Sequence, residues 1–66
     1  MTILTVAEVA EMLKLKPSQV YTMTRKRARQ RMEKPLPYLK INGNLRFSKE
    51  AIESWLQELS RDGAGS

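Results

Sequence analysis

Thr5 to Thr24 read TVAEVAEMLKLKPSQVYTMT, two short apolar-periodic segments separated by almost nothing. The first opens on Thr5-Val6-Ala7-Glu8, the spacing of a capping box, in which the Thr5 hydroxyl accepts from the Glu8 amide and the Glu8 carboxylate from the Thr5 amide. Leu4 and Val9 sit at the staple positions around that start. Val6, Val9, Ala10 and Leu13 recur at i, i+3, i+4 and i+7, which predicts a short helix ending near Lys14. Only Leu15 and Lys16 precede a second start at Pro17, where the missing N–H costs nothing. Leu15 and Val20 form a second staple pair around Lys16, a poor N-cap. Val20 and Met23, with Thr24 and the stem of Arg27, are expected on the inner face of this second helix. Ser18, Gln19, Thr22, Arg25, Lys26 and Arg29 then face outward.

Two helices joined by so tight a turn must cross steeply, which is helix-turn-helix geometry. Downstream, six of the ten residues from Arg25 to Lys34 are basic. Arg, Lys, Ala, Gln and Met are good helix formers, so the second helix is expected to run on by about two turns. Pro35 and Pro37 end it.

Tyr38 to Phe47 reads as a hairpin around Asn42-Gly43-Asn44. A two-residue Asn-Gly turn pairs Lys40 with Leu45 and Leu39 with Arg46, mixing charge and apolar groups on both faces. A three-residue loop instead pairs Ile41 with Leu45 and Leu39 with Phe47, leaving one face apolar and Lys40 opposite Arg46 on the other. A buried face sets register, so the three-residue loop is the expectation. The last helix starts at Ser48 as N-cap with Phe47 and Ile52 as staple; Ile52, Trp55, Leu56 and Leu59 form its stripe, with Trp55 a core anchor. Residues 1–61 therefore read as one domain and 62–66 (DGAGS) as a flexible tail of linker composition.

Charge is distributed unevenly over this order. The 66 residues carry a net charge of +5, yet Lys16 to Lys49 hold ten basic residues against Glu33 alone. The flanking segments are net acidic. A basic middle between acidic helices is the footprint of a nucleic-acid site. Without His or Cys the chain lacks the usual general base, thiol nucleophile and zinc ligands, and its carboxylates show no pairing, so neither catalysis nor a cofactor is expected. No apolar run approaches a membrane span and no signal peptide is visible, so a cytoplasmic binding module without membrane association is expected. Aromatic residues are 6% and Trp55 is assigned to the core, which argues against single-strand stacking.

Helix, tight turn, basic helix, hairpin, helix is a mainly α architecture with a small β-hairpin: a winged helix-turn-helix. In such docking the second helix enters the major groove with its N-terminal residues at base edges. Those are Ser18, Gln19, Thr22 and Arg25, with Lys26 and Arg29 adjoining; Gln suits adenine, Arg suits guanine, and Thr can touch a thymine methyl or donate a hydrogen bond. Arg27, Arg29, Arg31 and Lys34 suit phosphates better than bases. In the wing, Lys40 across from Arg46 is a like-charge pair that DNA relieves, and Asn42 and Asn44 offer hydrogen bonds at the tip.

Leu4 to Leu13, Val20-Tyr21 and Leu45 to Leu56 resemble the excisionase family of small winged-helix proteins, related to MerR-type DNA-binding domains. The likeness covers roughly residues 3–59 and departs between Tyr21 and Pro37, where the family has a shorter, Gly-containing connection. Tyr21 resembles the family's aromatic after the core valine, with phosphate contact and packing both open to it. The resemblance implies a bacterial or phage protein that binds and bends double-stranded DNA at mobile-element ends. It also implies cooperative self-association on DNA and an integrase or recombinase as partner in excision. A phage or mobile-element transcriptional regulator is the alternative on the same fold; an RNA-binding or protein-interaction adaptor is the alternative of another class.

Overall fold

A computed structural model describes residues 1–64, with side chains through Arg61. The helix-turn-helix is built from α1 (Val6–Leu13) and α2 (Pro17–Met23). The Thr5 box forms in full: the Thr5 amide donates to Glu8 Oε1 at 2.9 Å and the Glu8 amide to Thr5 Oγ1 at 3.2 Å. At the other end Lys14 takes a left-handed conformation, φ 60°. The Leu15 amide donates to the Ala10 carbonyl at 2.8 Å and the Lys14 amide to the Glu11 carbonyl at 3.2 Å. That bond pair is a Schellman motif, and it reverses the chain within the turn. Lys16 provides no side-chain cap to α2, but Gln19 Oε1 accepts from the Lys16 amide at 2.8 Å.

The expected extension of the second helix does not form. The Thr24 hydroxyl donates to the Tyr21 carbonyl at 2.8 Å, and the Thr24 and Arg25 amides bond back to Tyr21 and Thr22 in tightened turns. A β-branched residue whose hydroxyl competes for backbone partners favours such a break. Arg25 is extended, with ψ 146°, and occupies the N-cap position of a separate helix α3 (Lys26–Arg31) without a side-chain cap. Arg27, expected to lay its stem on the inner face, is exposed.

The wing is β2 (Leu39–Ile41) and β3 (Asn44–Ser48), and a strand not anticipated from sequence, β1 (Ile3–Leu4), completes a sheet of order β1-β3-β2. The register is Leu39↔Arg46, Lys40↔Leu45 and Ile41↔Asn44. The three-residue loop and the Lys40–Arg46 pair are thus both corrected. Asn42 (φ 51°) and Gly43 (φ 79°) form a tight turn with both central residues left-handed, whose twist suits a hairpin. Burial gives no counter-argument, because all three residues of β2 are exposed. The apolar partner that Phe47 requires is Leu4 of β1 rather than Leu39.

Helix α4 (Lys49–Ala64) starts at Ser48, whose Oγ accepts from the Ala51 amide at 3.2 Å. Its span takes in the first three residues of the linker-like segment; Gly65 and Ser66 lie outside the described residues. The core joins Val6, Val9 and Ala10 of α1 with Val20 of α2, Phe47 of β3, and Ile52 and Trp55 of α4. Leu36 enters it fully buried from between two prolines, and Trp55 is the core anchor expected.

Candidate nucleic-acid interface

Burying Val20 fixes the roll of α2 and sends Ser18, Gln19, Tyr21 and Thr22 to the exposed side. Gln19 is steadied by its bond to Lys16, which engages its carbonyl oxygen and leaves its NH2 for a ligand. The Thr22 hydroxyl donates to the Ser18 carbonyl at 3.0 Å, so towards a ligand it presents acceptor lone pairs and its methyl. Tyr21 is half exposed at 51%.

Between the C-terminal end of α2 and the wing lies an open cleft of about 570 Å³. Tyr21, Thr24 and Arg25 line one side, and Lys40, Gly43, Asn44, Leu45 and Arg46 the other, with Tyr38 at the root. Arg25, Lys40 and Arg46 supply three positive groups, and among the described residues no acidic side chain lines the cleft. Low-dielectric walls around like charges focus an attractive field on an anion. The Arg46 guanidinium donates to the Leu45 carbonyl at 2.7 Å, which holds its stem against the strand. Asn42 stands exposed at the wing tip.

Other expected contacts lie apart from this cleft. Lys26 lines an adjoining groove with Thr24, Arg29, Gln30, Pro35 and Tyr38. Arg27 and Arg31 are exposed on α3, and Lys34 is half-buried beneath α4, its carbonyl accepting from the Trp55 indole N–H at 2.9 Å. Arg29 turns inward: its guanidinium donates to the Leu36 carbonyl and lies 4.6 Å from the Tyr38 ring centroid. Sequence reasoning missed Thr24 and Tyr38, which line both recesses. The signal for Tyr38 was its place directly after Pro37, at the first residue of the predicted hairpin. Among the described residues, no three His, Cys, Asp or Glu side chains gather as metal ligands, and no helix is long and apolar enough to cross a membrane.

A tight two-helix turn, an exposed polar second helix and a basic wing closing over one cleft define a winged helix-turn-helix, a DNA-binding architecture. The comparison of families agrees: residues 3–60 match the helix-turn-helix domain family, and the chain belongs to it. No curated protein and no solved structure matches the chain.

Proposed function

We propose that this domain is a sequence-specific, excisionase-like architectural factor that binds and bends duplex DNA at mobile-element ends and so promotes integrase-mediated excision. The observation that carries the DNA site is the basic cleft that joins Arg25 at the end of α2 to Lys40, Asn44 and Arg46 of the wing. The helix takes the major groove, where Ser18, Gln19, Thr22 and Arg25 meet base edges, and the wing straddles the adjacent phosphates. Arg27, Arg31 and Lys26 extend the positive field along α3. The excision role is supported by the resemblance carried in Leu4–Leu13, Val20-Tyr21 and Leu45–Leu56. A seven-residue recognition helix reads few base pairs, which favours cooperative binding to repeated sites.

The test is binding to duplexes from the ends of a mobile element, read for affinity, bend angle and integrase-dependent excision. Affinity is expected to fall steeply with salt, by roughly 0.9 in log–log slope per phosphate engaged. Arg25→Ala should weaken a specific site at least about fivefold while changing random duplex less. Tight binding at promoters without a bend or an effect on excision would transfer the role to transcription. Preference for RNA over duplex DNA at physiological salt would refute the reading.

A further inference from the structure

The segment between α3 and the wing has no regular secondary structure, yet it is pinned at several points. Leu36 is wholly buried, the Lys34 carbonyl accepts from Trp55, and the Leu36 carbonyl accepts from Arg29. The Arg29 guanidinium also stacks over Tyr38, the residue immediately before β2. Arg29 is half-buried, whereas its neighbours Arg27 and Arg31 on the same helix are exposed. One planar cation therefore ties α3, and through the Thr24 turn α2, to the root of the wing.

We infer that Arg29 is a positioning residue that sets the gap between the recognition helix and the wing, rather than a phosphate contact. This rests on the DNA-binding reading above. Its five donors let one guanidinium bond a carbonyl and cover a ring at once. An ammonium at the same place keeps the charge but loses the planar fork and most of the stacking. The wing contributes Lys40, Asn44 and Arg46 to the cleft only when its root holds its orientation. Arg29 thus acts on DNA through those residues.

The discriminating variant is Arg29→Lys, with Tyr38→Leu as a second route to the same loss. In the free protein, Arg29→Lys should shift the amide resonances of Tyr38 to Ile41 and leave those of α1 unchanged. On a specific duplex it should weaken binding by about five- to tenfold, as for the loss of one cation–π contact and one hydrogen bond. Tyr38→Leu should do the same. In a Lys40→Ala/Arg46→Ala background, Arg29→Lys should have almost no further effect, because its route to DNA is already cut. Unchanged resonances at the wing root would overturn the inference without any use of DNA. So would wild-type affinity in Arg29→Lys alongside weak binding by Arg29→Ala, the pattern of a plain phosphate contact. Failure of the wild type to bind duplex would instead refute the DNA reading, leaving the resonance result to judge the Arg29 tie.

Discussion

Trp55 of α4 donates its indole N–H to the carbonyl of Lys34 at 2.9 Å, across 21 residues of chain. Trp55 is 8% exposed, so the one residue both fills the core and satisfies a backbone acceptor in the loop that leads to the wing. Trp55→Phe keeps an aromatic ring but removes the donor and some volume. It should cost about 1–3 kcal/mol, a large part of the roughly 3–10 kcal/mol that a domain of this length commands. Urea denaturation of both proteins measures it; a midpoint shift within error would mean that the bond contributes nothing net.

Lys14 sits at the left-handed position of the Schellman motif with φ 60°, where glycine is the usual occupant. Lys14→Gly should therefore stabilise the domain by about 0.5–1 kcal/mol, relief of the left-handed strain exceeding the added flexibility of the unfolded chain. Lys14→Ala keeps the Cβ and should give no such gain. The two thermal midpoints, compared with the wild type, decide it. A glycine variant melting lower than the alanine variant would show that Lys14 is not held in that conformation.

What could be read in advance was local. The caps at Thr5 and Ser48 and the start at Pro17 depend on residues within one turn, and each forms where the spacing places it. The failures were contests between local and distant effects. Helix propensity beyond Arg25 is realised in α3, but continuity with α2 is lost at Thr24, whose hydroxyl bonds back to Tyr21. The parity argument for the hairpin assumed that β2 must supply the partner of Phe47, but Leu4, more than forty residues earlier, supplies it. Nothing in a run of arginines distinguishes Arg29, which meets Leu36 and Tyr38, from Arg27 and Arg31, which meet solvent. At the candidate site, the polar face of α2 was legible from its period, while the cleft depended on a register that the turn chose.

Glu50 links the first strand to the last helix, and this link should be sensitive to acid. Its carboxylate accepts from the Thr2 amide at 3.1 Å, and that bond, then one from its own backbone amide and a smaller contribution from Ser48, lowers its pKa below the ordinary glutamate value. A depressed folded-state pKa means that the stabilisation is fully present above the unfolded value, about 4.3, and is lost as pH falls through the folded one. Denaturation curves for wild type and Glu50→Gln should thus differ at neutral pH and draw together as pH falls below the ordinary glutamate range. A difference that stays constant down to pH 2.5 would show that the carboxylate's charge plays no part in holding β1.

Gly43 tests the hairpin register directly. Its φ of 79° lies in the left-handed region, and an added Cβ would meet nothing within 4 Å, so any cost of Gly43→Ala comes from the backbone alone. That cost should be about 1 kcal/mol, because the type of turn found here requires both central residues to be left-handed. Gly43→Asn should lose less, since asparagine tolerates that conformation. The loss should appear in amide exchange across β2 and β3 before it appears in the core, and it should weaken duplex binding because Gly43 lines the cleft. Alanine tolerated at no cost in stability or exchange would mean that residue 43 is not left-handed, and it would restore the three-residue loop with Lys40 facing Arg46.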